Sequence, residues 1–370
     1  MAETSLTRKP LRWARWSLLI FLFCGLLRGP AFAAEAPPSG SPEVWTYLNS
    51  LEPTKRLEVM EAQARKEGRL TVYGALGIDR ADVLISFFNK QYPDMKVDFV
   101  RLREPEIVQR VNTEARAKRV GGDVAISSVG WLDLLKDSLG AYEPTSWQDF
   151  DSGFVFGSGQ DGWTAVAYEV LPSTIAWRTD RVKNEEAPKT LEQIADPKWK
   201  GRVGTTSHLP ALVSGLNDAL GEQSAKNLVD RLAQLDNRLY PSIASLADGL
   251  AQGEIDVAWN MGAHRPVRLK FQGAPIDFVM QDPLLGQGIT VSVIDGGSNS
   301  YAAALFMEVL TRANTLEAID QAEGGRLFGN NKGTYEIDLA ALPRLTIFQP
   351  ISPERFEELS RSTEEQFLRR

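Results

Sequence analysis

The sequence predicts an α/β fold of two doubly wound lobes joined by a two-strand hinge. Short β-rich runs alternate with helical runs over residues 70–139, and a second alternating series covers residues 202–280. Two extended apolar runs, at 163–170 and 173–177, lie between the series and predict the segment that crosses from one lobe to the other. Strands that alternate with helices are typical of βαβ units in a mainly parallel sheet.

The first series predicts three parallel strands and their connecting helices. The β-rich run at 70–73 predicts the first strand, and Asp79 can cap a helix that ends before Pro93. The same patterns predict a strand at 97–100, a helix at 104–119, a strand at 123–127 and a helix near 131–139. The second series predicts strands at 202–205, 255–259 and 276–280 and helices at 210–220, 224–235, 247–252, 265–271, 301–310 and 315–323.

The first 33 residues have the three parts of a cleavable secretion signal. Four basic residues between positions 8 and 15 precede a nearly unbroken apolar run at 16–27, and small residues follow at Ala31 and Ala33. A membrane-spanning helix needs about 20 apolar residues, and Arg28 ends this run too early. We therefore expect cleavage after Ala33 and export of the mature chain.

The single cysteine, Cys24, lies inside that apolar run behind Leu22 and Phe23. A lipoprotein signal has small residues before its cysteine, so we expect release and not lipid attachment. A mature chain without cysteine has no disulfide, thiolate metal site or cysteine nucleophile. The signal carries five basic residues and one acidic residue, so the net charge of −7 becomes about −11 after cleavage. An acidic surface argues against nucleic acid and anionic lipid as partners.

The remaining chain is longer than one hydrophobic core usually supports and suggests two domains of about 150 residues. Extended segments near 165–178 and 285–295 predict the two hinge strands. The expected organisation is a signal peptide at 1–33, a linker and N-terminal helical segment at 34–68, a first lobe at 69–170 together with about 290–370, and a second lobe at 171–289.

Seven stretches of the sequence together resemble one protein family. The most specific begins with Asp-Pro-Lys-Trp-Lys-Gly and covers 196–203, where Asp196 can cap a turn and Trp199 can fill a core. The other stretches are 70–75, 87–93, 97–101, 122–125, 187–190 and 253–258. In this order they resemble the extracellular solute-binding proteins of ABC importers, in the ferric-iron-binding-like branch of the type 2 periplasmic binding protein fold. The resemblance covers roughly residues 68–325.

This resemblance implies a periplasmic protein that captures a small molecule and delivers it to an inner-membrane ABC permease. We expect a monomer without a cofactor and without stable insertion of the mature chain into a membrane. Ligands of open α/β sheets bind beyond the carboxyl ends of the strands. In a two-lobe protein both sets of strand ends can face one cleft, and closure about the hinge then buries the ligand.

The sequence departs from the family at the positions that hold ferric iron. Iron-binding relatives place two adjacent tyrosines after the strand that follows the stretch 253–258, and here those positions are Ala263 and His264. An acidic ligand that some relatives place after the third strand is replaced by Ser127 and Ser128. Ferric iron favours phenolate and carboxylate oxygen, so we expect no metal site and a small organic or anionic ligand.

The expected ligand contacts come from loops that follow strands and from the segment at the family's tyrosine pair. Small residues and hydroxyls at helix starts can bind an anion through backbone N–H groups, and Arg265 can bind a carboxylate or phosphonate with two parallel hydrogen bonds. The predicted site residues are Gly74, Ala75, Ser127, Ser128, Thr206, Ser207, Trp259, Asn260, His264 and Arg265. Tyr301 is a second candidate, after Trp259, for an aromatic wall.

Three other functions stay open on the sequence. Ferric iron could be transported with atypical ligands, or the binding protein could serve a sensor in place of a permease. An exported hydrolase is the third, but the chain contains neither a Gly-x-Ser-x-Gly nor a His-Glu-x-x-His motif. The mature chain has only His208 and His264 for histidine-based acid–base catalysis, so we expect no enzyme activity.

Overall fold

A computed structural model describes residues 37–150, 152–207, 209–312, 314–315 and 345–367. The expected signal peptide, its cleavage site, His208 and most of the helix expected at 315–323 lie outside these residues. No helix in the described part of the chain is long and apolar enough to cross a membrane.

The first lobe is built on the three parallel strands that the sequence predicts. The first strand, β1 (Arg69–Gly74), lies between β2 (Lys96–Arg101) and β3 (Val124–Ser128) and pairs in parallel with both. The connections are α3 (Ile78–Gln91) and α4 (Glu104–Arg116). Every residue of β3 is buried, as expected for a central strand covered on both faces. The helix expected at 131–139 is reduced to α5 (Leu132–Leu135) between short 3₁₀ turns.

A single strand covers residues 163–178, where the sequence predicts two extended runs separated by Leu171 and Pro172. The strand β5 (Trp163–Arg178) pairs antiparallel with β10 (Leu285–Val293) in the first lobe and with β8 (Val257–Gly262) and β9 (Ile276–Met280) in the second. Pro172 does not break it, because its carbonyl oxygen accepts a hydrogen bond from the backbone N–H of Ala263 at 2.9 Å. The two lobes therefore share one sheet, in the strand order β2-β1-β3-β10-β5-β8-β6-β7.

The second lobe repeats the parallel arrangement around β6 (Val203–Thr206), which lies between β7 (Arg238–Tyr240) and β8. Its core contains Trp199, whose turn begins where the Asp196 side chain accepts a hydrogen bond from the backbone N–H of Lys198. The remaining elements of the two lobes are α6 (Leu191–Ile194), α7 (Leu209–Leu220), α8 (Glu222–Ala233), α9 (Ile243–Gln252), α10 (His264–Phe271) and an edge strand, β4 (Val155–Ser158).

The N-terminal helices α1 (Glu43–Asn49) and α2 (Pro53–Glu67) are part of the first lobe's core. The indole of Trp45 is 1% exposed, and its Nε1 donates to Oδ1 of Asp295 at 3.1 Å. The second helix packs against α11 (Ser300–Leu310), and Oε2 of Glu67 accepts from the first-turn N–H of Ala302 at 2.7 Å. The segment after the linker therefore forms part of the first lobe's core.

The C-terminal segment packs differently from its expected place in the first lobe. The short strand β11 (Thr346–Ile347) adds to β10, and α12 (Pro353–Phe367) then packs against α7 and α8 of the second lobe. The reason is a matched pair: Phe348 is buried against Gly215, where an added Cβ would lie only 2.5 Å from its ring. The segment 345–367 therefore belongs mainly to the second lobe.

Candidate functional site

A cavity of about 670 Å³ lies between the two lobes, a size typical of small-molecule sites. It is located at the carboxyl ends of β1 and β3 in the first lobe and of β6 and β8 in the second. Eight of the ten predicted residues line it: Ala75, Ser127, Ser128, Thr206, Ser207, Asn260, His264 and Arg265.

The other two predicted residues contribute to packing. An added Cβ on Gly74 would lie 2.7 Å from the ring of Phe99, so the glycine makes room for an aromatic side chain. Trp259 is fully buried in the second lobe and donates from Nε1 to Oδ1 of Asn237 at 2.9 Å. Tyr301 is buried in the first lobe's core. The expected aromatic wall is therefore wrong for both Trp259 and Tyr301.

Helix N-termini from both lobes surround the cavity. Residues at the starts of five helices line it: Gly77 before α3, Glu104 in α4, Leu209 in α7, Ile243 in α9 and His264 in α10. The N-terminus of a helix carries partial positive charge and unsatisfied N–H groups. Their N–H groups are hydrogen-bond donors that a negatively charged occupant of the cavity can use.

Charged side chains of both signs line the same cavity: four arginines together with Glu104, Glu106 and Glu364. Arg265 comes from the second lobe, and Arg80, Arg101 and Arg103 come from the first. Sequence reasoning missed Arg80, which lies in the first turn of α3 and forms an ion pair with Glu169 of β5. The exposed fractions of these two side chains are 11% and 5%, so the pair is held inside the protein.

His264 is a neutral group between these charges. The residue is half-buried, and its Nδ1 atom is shielded from solvent and has no hydrogen-bond partner within the described ranges. Burial lowers the pKa of His264 well below its usual value, and the positive charges of Arg80, Arg265 and Arg268 lower that pKa further. The imidazole is therefore uncharged at neutral pH and can donate or accept one hydrogen bond at each nitrogen, according to its tautomer.

Asn260 ties the cavity to the two segments that cross between the lobes. Its φ of 53° is in the left-handed region, where asparagine is one of the few residues tolerated, and the pairing of β5 with β8 shifts register beside it. Its Oδ1 accepts from the hydroxyl of Ser173 at 3.0 Å, and its backbone N–H donates to Oε1 of Gln281 at 2.9 Å. A ligand that contacts Asn260 would therefore bind a residue that is hydrogen-bonded to both crossing segments.

The sequence predicts Ser127 and Ser128, at the end of β3, as site residues, but it does not predict that Glu104 is hydrogen-bonded to Ser128. Ser128 donates from its backbone N–H to Oε1 of Glu104 at 2.8 Å, and its hydroxyl donates to the same oxygen. Burial raises the pKa of Glu104 to about 7, although both hydrogen bonds lower it. The sequence shows Glu104 only as the first residue of an amphipathic helix, which gives no indication that its carboxyl group lines a cavity.

The positions of the family's tyrosine pair hold one buried and one cavity-lining residue. Ala263 is fully buried, and His264 lines the cavity. Among the residues that the structure describes, no group of three or more His, Cys, Asp or Glu side chains is arranged to hold a metal ion.

A sequence model for one protein family matches most of the two-lobed region. The match covers residues 73–315, and the family is described as bacterial extracellular solute-binding protein. The chain belongs to this family. No curated protein matches it.

Solved solute-binding proteins share the fold at low sequence identity. The substrate-binding protein of an ABC transporter from Agrobacterium tumefaciens has a TM-score of 0.69 at 14% identity, over 82% of this chain and 96% of that one. Iron-bound HitA from Pseudomonas aeruginosa has a TM-score of 0.65 at 16% identity, over 80% and 99%. The periplasmic binding protein AfuA from Actinobacillus pleuropneumoniae, with exogenous fructose-6-phosphate bound, has a TM-score of 0.64 at 19% identity, over 81% and 99%.

These matches confirm the family and the fold class that the sequence predicts, a two-lobed type 2 periplasmic binding protein. The family description gives the function as the binding of a solute. The family description places the working solute-binding protein outside the cytoplasm.

Proposed function

We propose that this solute-binding protein captures a small organic anion between its lobes and delivers it to an ABC permease. The observation that carries the proposal is the position of Arg265. A Cβ atom added to Gly77 at the start of α3 would lie 3.5 Å from Nη2 of Arg265, so the guanidinium of the second lobe faces a helix N-terminus of the first. An anion between them would neutralise charge from both lobes and favour the closed form.

The groups around this position suit a phosphate, phosphonate or carboxylate. A guanidinium binds these groups through two parallel hydrogen bonds, and helix N–H groups supply further donors. Ser127, Thr206 and Ser207 place hydroxyls on the same cavity. An organic phosphate is also the class of molecule present in the AfuA structure, which has the same fold.

Ferric iron is the alternative that the iron-bound HitA structure raises. We favour an organic anion because Ala263 and His264 occupy the positions at which iron-binding relatives have tyrosines. Neither side chain supplies the phenolate oxygen that ferric iron prefers.

The proposal includes the state of the working protein. It is cleaved after Ala33, released into the periplasm, monomeric and without enzyme activity. The boundaries proposed for the lobes are those of the sequence, with the segment 345–367 moved to the second lobe because α12 packs there.

The test is a thermal-shift screen of the mature chain with organic phosphates, phosphonates, carboxylates, polyols, amines and ferric citrate, followed by calorimetry on each hit. A ligand at 100 times its Kd should add about 2.7 kcal/mol of stability. Arg265→Ala should weaken binding of the best anion at least tenfold, because a charge-assisted hydrogen bond contributes about 1.5–3 kcal/mol.

Arg268→Ala is the matched control, since Arg268 lies on the same helix but is exposed and does not line the cavity. It should leave the affinity within about twofold, the effect usual for a screened surface charge. A tight, coloured ferric complex, or hits confined to uncharged molecules, would replace the anion proposal.

A further inference from the structure

Glu104 is one of three glutamates that line the cavity, with Glu106 and Glu364. It is the first residue of α4, and its side chain reaches the end of β3, where Ser128 lies. A carboxylate in the first turn of a helix is favoured by the helix dipole. That preference explains why glutamate is stable at this position, but it does not explain the surroundings of both oxygen atoms.

The two carboxyl oxygens of Glu104 have different environments. Oε1 accepts hydrogen bonds from the backbone N–H and from the hydroxyl of Ser128. Oε2 is buried from solvent and receives no hydrogen bond from any described residue. The tie between α4 and β3 is therefore complete with one oxygen, and the second oxygen is left over at a residue that lines the cavity.

A buried polar atom without a partner is unusual in a folded protein and is costly when the atom carries charge. The raised pKa of Glu104, about 7, has the same origin, since burial outweighs the two hydrogen bonds from Ser128. A bound molecule that donates a hydrogen bond to Oε2 would satisfy the atom and remove this cost.

We propose that Glu104 recognises a hydrogen-bond donor, a hydroxyl or an ammonium group, on the captured solute. This inference rests on the proposed function and narrows it: the solute carries a donor as well as an acidic group. The arginines select the acidic end, and the carboxyl group of Glu104 selects the other end. An anion of the same length without a donor group leaves Oε2 without a hydrogen bond. A solute with a second acidic group at this end is repelled by Glu104.

Matched pairs of probes test this inference. Glycerol 3-phosphate and propyl phosphate differ in hydroxyl donors, and 3-aminopropylphosphonate and propylphosphonate differ in an ammonium donor. Calorimetry on the full mature chain should show that one donor-bearing probe binds at least tenfold tighter than its plain counterpart. The pair that discriminates identifies which donor Glu104 recognises.

Glu104→Gln is the decisive variant, because the amide oxygen can still accept from Ser128 while an NH₂ group replaces Oε2. It should reduce the discrimination between the two probes to less than threefold. Glu104→Asp keeps the charge but shortens the side chain by one methylene, so it should reduce the discrimination as well. It replaces the glutamine variant as the test if that variant does not fold. Glu114→Gln is the control on the same helix, because Glu114 is paired with Arg110 and does not line the cavity, so the change should preserve discrimination.

Each outcome is decisive. Equal affinities within both pairs in the unmodified protein, or discrimination that persists in Glu104→Gln and Glu104→Asp, overturns the role of Glu104. The unmodified protein could bind the probes with and without a donor equally well, and Arg265→Ala could abolish the binding of both. That result overturns this inference and supports the proposed function. If no anion of either series binds, the proposed function fails and this inference fails with it.

Discussion

The Nη2 atom of Arg265, on the second lobe, lies 3.5 Å from the place that a Cβ atom on Gly77 of the first lobe would occupy. Gly77 has φ of −62° and ψ of 149°, a conformation that any L-residue adopts. A side chain at this position would therefore enter the cavity beside the guanidinium without straining the backbone. This makes Gly77 a position from which the anion site can be blocked selectively.

Gly77→Glu should act as a built-in competitor of the bound anion. Its carboxylate would pair with Arg265, and we expect the affinity for the best organic anion to fall at least tenfold, the equivalent of about 1.4 kcal/mol or more. Calorimetry measures the loss. Gly77→Ala is the control, because a methyl group at 3.5 Å makes ordinary contact and should leave the affinity unchanged. Unaltered binding by the glutamate variant would place the anion elsewhere in the cavity.

The location of these groups shows which parts of a site a sequence can predict. Ser127, Ser128 and Thr206 could be predicted because each lies at the carboxyl end of a strand, and parallel strands end at a common edge. Arg80 and Glu104 could not, because they reach the cavity only through the orientation of α3 and α4. Helix orientation depends on the packing of whole lobes, which no local pattern records.

His264 makes the stability of the protein depend on pH. Its pKa is lowered well below the usual 6.5, by burial first and then by Arg80, Arg265 and Arg268. As pH falls below 6.5, the unfolded chain takes up a proton at this residue and the folded protein does not. The free energy of unfolding therefore falls with pH, by up to about 1.4 kcal/mol per unit, until the lowered pKa is reached.

Urea unfolding between pH 7.5 and 5 checks this dependence. His264→Gln removes the titrating group, so its stability should decline less than that of the unmodified protein over this range. The two proteins should differ by a constant amount above about pH 7.5, where histidine is neutral in both states. Parallel curves down to pH 5 would show that His264 is protonated in the folded protein, in conflict with its location between arginines.

Trp45 connects the N-terminal helices to the first lobe, and its removal should be costly. Trp45→Ala leaves a cavity in the core and removes the hydrogen bond to Asp295, so we expect a loss of about 3–5 kcal/mol in the free energy of unfolding. Phe271→Ala is the control, because Phe271 is 67% exposed and its loss should cost about 0.5 kcal/mol or less. A Trp45→Ala variant within about 1 kcal/mol of the unmodified protein would show that α1 adds little to the core.

The course of the chain between the lobes was harder to predict than the lobes themselves. Leu171 and Pro172 have the local pattern of a break, but the structure continues β5 through both residues because neighbouring strands satisfy the backbone. The segment 345–367 has no strand–helix alternation that would assign it to a lobe. Its place is set by the fit of Phe348 against Gly215, a contact between residues far apart in sequence.

That segment carries a contact between the lobes. The ring of Phe356 in α12 lies 4.6 Å from the ring of Trp131 after β3, at an interplanar angle of 53°. Because α12 packs mainly on the second lobe and Trp131 belongs to the first, the pair joins the lobes beside the cavity. An aromatic pair of this kind contributes about 0.5–1.5 kcal/mol beyond the area it buries.

Phe356→Ala should therefore weaken ligand binding, because the variant loses a contact that holds the two lobes together beside the cavity. We expect affinity to fall about two- to twelvefold, the range that this energy implies. Phe367→Ala is the control: Phe367 packs on the second lobe's core, so its loss should lower stability without changing affinity. A double-mutant cycle with Trp131→Ala separates the ring contact from direct contact with ligand, since a shared contact makes the two losses non-additive. Strictly additive losses would mean that the two rings act independently and that α12 does not hold the lobes together.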